Sequence, residues 1–165
     1  MSAHEMGNTC YGLQMSKVIP MPTRRTLLLF GLTAVAGAAI AYPLIYPTYA
    51  GGTLDAATAH QQQIAGDLIL IDIRRPDEWA ATGTALGAHQ LDLRRDDFIA
   101  ALDQIAGQDR SRPIALICAR GIRSARIANL LAENGFTNIL NIPEGMDGSA
   151  DGPGWVGRGL PLSPA

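Results

Sequence analysis

Across residues 51–165 the sequence has no lysine and a single cysteine, Cys118. One cysteine cannot form a disulfide within that stretch, so no disulfide framework is expected. Cys10 lies ahead of an apolar segment, and Met15 and Met21 offer later starts that would omit it, so it is given no role. Positive charge is scarce as well. Ten arginines face fourteen acidic residues, a net charge of −4 with histidines neutral, and Arg74/Arg75 and Arg94/Arg95 sit beside acids. No basic face is implied, which excludes nucleic acid as an expected partner. Histidines stand singly: His60 reads as a surface residue, and no metal cluster or cofactor is implied. There is no internal repeat and no low-complexity tract.

Long apolar runs are absent but for one. Residues 27–41 (LLLFGLTAVAGAAIA) carry no charge, follow Arg24 and Arg25, and end at small residues. That order is the pattern of an export signal. Arg24 and Arg25 resemble a twin-arginine signature, although a general secretory route fits equally. Cleavage is expected after Ala41 or, preferred here, after Ala50. If cleavage fails, residues 27–46 are long enough to anchor the chain in a membrane, the only membrane contact expected. Residues 1–50 are thus read as an extension with an export signal, residues 51–165 as the folded domain, and the location as exported and periplasmic.

Within the domain, residues 55–64 predict a short helix, and 68–73 (LILIDI) a strand buried on both faces. Pro76 opens a helix whose first turn carries Asp77 and Glu78. A short strand over 88–91 and a helix over 96–105 follow, with Phe98, Ile99, Leu102 and Ile105 at helical spacing. Residues 114–117 predict a strand, 124–133 a helix and 138–140 a last strand. This alternation predicts an α/β fold, one small parallel sheet with helices on both faces, whose ligands bind beyond the carboxyl ends of the strands. Residues 147–157 read as a glycine-rich surface loop.

Cys118 stands at such an end. A lone cysteine after an apolar strand has a plain explanation as a small buried hydrophobe. Its neighbours argue for chemistry instead: Arg120, Gly121 and Arg123 follow within five positions, and a helix begins just beyond. Loop N–H groups and the unsatisfied N–H groups of a helix's first turn favour negative charge on one spot, as a thiolate requires.

With these residues in place, residues 54–164 resemble a single-domain rhodanese, a sulfurtransferase. The run Ile71, Asp72, Ile73, Arg74, Arg75, Pro76, Asp77, Glu78, Trp79 looks like the family's strand-and-helix signature, and Gly87 with Ala88 its next landmark. Residues 118–124 look like the active loop, and Gly145, Trp155, Gly159 and Pro161 like the C-terminal signature. Four residues separate Cys118 from Arg123, one fewer than related phosphatases and arsenate reductases of this fold place there. The shorter loop suits one sulfur atom on the thiolate better than a tetrahedral oxyanion. One departure stands out: Thr84 occupies the position after Gly83 where the family usually has histidine.

The resemblance implies a rhodanese-type enzyme in which Cys118 takes sulfur from thiosulfate or a similar donor as a persulfide and passes it on. Ala119, Arg120, Gly121, Ile122 and Arg123 would bind the substrate, and Asp72, Arg74, Glu78 and Ser124 would support the loop. With no second cysteine in the domain, the acceptor is expected to be external: cyanide, a small thiol or a thiol-carrying protein. The rival readings are a catalytically idle rhodanese-like module that binds a partner or senses sulfur or redox state and, ranked lower, a phosphatase or arsenate reductase.

Overall fold

The computed structural model describes residues 49–164, so the apolar segment, Arg24, Arg25 and Cys10 lie outside the described residues. Among the described residues no helix is long and apolar enough to cross a membrane.

The strands are β1 (Gly52–Thr53), β2 (Ile69–Asp72), β3 (Thr84–Ala85), β4 (His89–Gln90), β5 (Ile114–Ile117), β6 (Ile139–Asn141) and β7 (Leu162–Ser163). The helices are α1 (Ala56–Ala65), α2 (Pro76–Thr82), α3 (Phe98–Ala106), α4 (Ile122–Glu133) and α5 (Gly154–Gly157). Five strands form one parallel sheet in the order β1-β6-β5-β2-β4. Its two longest strands, β2 and β5, lie side by side at the centre, Ile71 opposite Leu116 and Asp72 opposite Ile117. Every residue of these two strands is buried, as their unbroken apolar runs require.

Successive side chains point to opposite faces and build two cores. On one face Ile69, Ile71, Ile114, Leu116 and Ile139 pack with Phe98 and Leu102 of α3 and Ala128 and Leu131 of α4. On the other, Leu70, Ala115, Ile117 and Ile142 pack with Ala56 and Ala59 of α1 and with Trp155. Each fully buried aliphatic side chain contributes roughly 1.5–3 kcal/mol. Tyr49 joins the first core from its edge, and its hydroxyl donates to Ile139 O at 2.8 Å.

Helix boundaries follow local chemistry. Asp55 caps α1, accepting from Thr58 N at 2.9 Å. In α2, Pro76 supplies the first turn and Glu78 accepts from Arg75 N. The chain departs from the sequence reading in four places. α4 begins at Ile122 rather than residue 124, because left-handed Gly121 turns the chain directly into helix. β3 and β7 pair as a small antiparallel ladder, two residues each. Residues 147–157 are more than a surface loop: Gly154 and Trp155 are buried, and α5 docks on the second core. His60, expected at the surface, is half-buried with its ring edge-on to Trp155 at 5.2 Å.

Candidate active site

The central strands end side by side, and the side chains beyond those ends meet around Cys118. β5 stops at Ile117, Cys118 begins the loop, and Gly121 closes it into α4. Gly121 has φ +81°, and a Cβ there would collide with Pro143 O. Gly145 has φ +65°, and its Cβ would collide with Ala119 O. Both glycines are therefore required where residues 143–147 press against the loop. That contact is hydrogen-bonded: Met146 N donates to Cys118 O at 2.8 Å and Asp147 N to Ala119 O at 2.9 Å.

The Cys118 thiol is 1% exposed and unbonded to any other cysteine. Ser124 Oγ lies 3.4 Å from its Sγ and donates to Gly121 O at 2.9 Å. Arg123 reaches out of α4 to Glu78 of α2 with a two-pronged pair, Nη1 to Oε2 at 2.8 Å and Nη2 to Oε1 at 2.6 Å. The Arg123 hydrogen bond, followed by the Arg75 N–H and the charges of Arg123 and Arg75, outweighs burial and holds the Glu78 carboxyl at about 2, far below its ordinary value. Arg123 is held more firmly protonated than usual, first by Glu78 and also by Cys118. The guanidinium's fork is thus committed to Glu78, while its charge lies near enough to Cys118 to interact with it.

Behind this pair sits a second, sealed one. Asp72 and Arg74 are 0% and 1% exposed and joined at 2.8 Å. Arg74 also donates to Thr82 Oγ1 at 2.8 Å and Gly83 O at 2.6 Å, gripping the carboxyl end of α2. Thr84 is buried and donates to Asp72 Oδ2 at 2.8 Å. Asp72 and Arg74 therefore lie one layer behind the thiol and fix the helix that presents Glu78. Arg120 is exposed and makes no ion pair among the described residues, whereas Ala119 is half-buried and Ile122 partly exposed on the rim. The N–H groups of Ala119, Arg120 and Gly121 have no acceptor among the described residues. Clefts of about 500 and 480 Å³ flank α3, and neither is lined by the Cys118 loop. The loop offers uncommitted amides and one free guanidinium to a small anion.

The Rhodanese-like domain family matches residues 55–151. The chain belongs to the rhodanese-like family. Sulfurtransferases are among the relatives of this rhodanese-like domain: the tRNA sulfurtransferase of Yersinia pestis is 35% identical over 77 residues, 47% of this chain and 16% of that protein. The chain thus spans about a sixth of the length of the curated relatives it matches. The polysulfide-sulfur transferase homodimer of Wolinella succinogenes is 27% identical with a TM-score of 0.55, covering 82% of this chain and 90% of that one. An M. tuberculosis structure, 24% identical with a TM-score of 0.56, shares the fold over 72% of this chain and 100% of that one.

For this rhodanese-like domain, the structure brings all ten sequence-predicted site residues to one end of the sheet, in two layers. Two buried groups there escaped the sequence reading as partners. Thr84, which departs from the family's usual histidine, supplies a hydrogen bond to Asp72. Glu144 belongs to no motif in the sequence. The only signal for it was an acid between Pro143 and Gly145, directly before the C-terminal signature.

Proposed function

We propose that the protein is a sulfurtransferase that carries one sulfane sulfur as a persulfide on Cys118. The observation carrying this reading is the short loop: four residues from Cys118 to Arg123, with backbone amides that have no acceptor among the described residues and an exposed, unpaired Arg120, a setting that favours a thiolate. Sulfurtransferase relatives support it.

In the first half-reaction the Cys118 thiolate attacks the outer sulfur of thiosulfate. The new S–S bond forms as the thiosulfate S–S bond breaks, and sulfite leaves with the electron pair. Arg120, unpaired at the loop's crown, meets the sulfonate; Arg123, Ser124 and the amides of Ala119 to Ile122 stabilise negative charge on sulfur. In the second half-reaction cyanide or a thiolate attacks the terminal sulfur, and Cys118 leaves as thiolate. The named activity of the Wolinella relative makes a polysulfide chain a further donor to test.

The acceptor is external, because Cys118 is the one cysteine among the described residues. We also read residues 1–50 as directing export to the periplasm, with membrane anchoring by residues 27–46 as the outcome if the segment is retained. Processing after Ala41 rather than Ala50 leaves Tyr49 in its place against the core. N-terminal sequencing of the protein from cells, together with its cell fraction, tests both statements.

The 1% exposure of the thiol favours one rival, an idle module that senses or binds without turnover. Steady-state assays decide between them. The enzyme forms thiocyanate from thiosulfate and cyanide and loses that activity in Cys118→Ser. An idle module forms none, and a phosphatase or arsenate reductase instead turns over an aryl phosphate or arsenate.

A further inference from the structure

Glu144 is a buried charge that the proposed chemistry leaves unused. Its side chain is 1% exposed, yet the carboxylate is fully engaged. Oε1 accepts from Ala56 N at the start of α1 at 2.6 Å and from Arg158 Nε at 2.9 Å. Oε2 accepts from Gly154 N at the start of α5 at 2.9 Å and from Arg158 Nε at 3.1 Å. One side chain therefore ties three segments, α1, α5 and the stretch after α5, to the chain between Pro143 and Asp147. Arg158 is the charged group facing it, and Asp55 in turn acts on Arg158.

The same stretch is the wall behind the active loop. Met146 N and Asp147 N hold Cys118 O and Ala119 O, and Pro143 O and the Gly145 backbone touch Gly121 and Ala119 so closely that neither glycine tolerates a Cβ. A trans peptide points its C=O and N–H in opposite directions. Carbonyls pinned to the wall at 118 and 119 therefore send the N–H groups of Ala119 and Arg120 the other way. Those two N–H groups have no acceptor among the described residues. Free N–H donors directed at one spot make an anion cradle.

We infer that Glu144 is a positioning residue for the sulfur site: by locking residues 143–147 it turns the Ala119 and Arg120 amides toward the Cys118 sulfur. The inference rests on the reading of Cys118 as a sulfur carrier, but its test does not need sulfur transfer. Glu144 touches no reacting atom. Its effect is to keep the amide donors preorganised, which is where a fixed dipole stabilises a thiolate most.

The experiment is the pH dependence of iodoacetamide alkylation at Cys118 in the full chain, followed on the Cys118 peptide, with melting temperatures measured alongside. In Glu144→Gln an amide N–H₂ faces backbone donors, so the wall loosens. The Cys118 profile moves to higher pH, and alkylation at pH 7 slows roughly threefold to tenfold, tenfold being one pKa unit of thiolate. Arg158→Ala, which removes the more exposed partner, moves the profile the same way by less, and decides the matter if Glu144→Gln does not fold. A lowered melting temperature with an unchanged alkylation profile in the folded variant overturns the inference, leaving Glu144 as a structural group only. A shifted profile in a protein that takes no sulfur from thiosulfate sinks the sulfurtransferase reading and not this one.

Discussion

Replacing Glu78 with glutamine removes the charge that Arg123 grips while keeping the side chain's shape. The carboxyl sits at about 2 in the folded protein against an ordinary 4.5, so the pair stabilises the folded state only while Glu78 is ionised there. A depressed carboxyl contributes its full stability above the unfolded value and loses it as pH falls toward the folded one. The window therefore runs from about 4.5 down to about 2. At about 1.4 kcal/mol per unit the shift corresponds to about 3 kcal/mol, and solvent screening of a pair whose partners remain partly exposed lowers this to about 1–2 kcal/mol. For a domain of this size that is a fall in Tm of about 4–8 °C. Thermal melts of the wild type and Glu78→Gln at pH 7 show this gap, and melts at pH 3 show it reduced. An equal gap at both values, or none at pH 7, refutes the claim that the ionised pair holds α2 to α4.

Three further substitutions test the layers around the thiol. Thr84→Val leaves the buried Asp72–Arg74 pair one donor short and lowers stability by about 1–3 kcal/mol in denaturant titration, with Thr84→Ser restoring most of it. Gly121→Ala meets both a left-handed backbone and Pro143 O, so it costs about 2 kcal/mol or more and slows Cys118 alkylation. Arg120→Ala is thermally silent, since the side chain is exposed and unpaired among the described residues, but raises the KM for thiosulfate roughly tenfold by removing a charge-assisted hydrogen bond.

The central architecture was legible because it rests on long, strong patterns. The apolar runs at 68–73 and 114–117 become neighbouring buried strands, and the acids behind Pro76 become the first turn of α2. The reading of 118–124 as a loop feeding a helix follows from glycine and arginine spacing. What stayed hidden has no period to reveal it. β3 and β7 hold two residues each, too short for alternation to register, and they meet only because the chain returns at its far end. His60 looked like a surface residue by type, but it lies four residues after buried Ala56 in α1, one turn on along the same face, which turns it toward Trp155. Arg123 was expected to face an anion directly; its engagement by Glu78 depends on α2 and α4 meeting, 45 residues apart in sequence. Glu144 is the deepest case, a single acid whose partners come from residues 56, 154 and 158.

Intact mass after a single exposure to thiosulfate tests the role of Cys118 most directly. Folded wild-type protein gains one sulfur atom, releases it on addition of cyanide, and Cys118→Ser gains none. A folded wild-type protein whose mass does not change contradicts the assignment of Cys118 as a sulfur carrier.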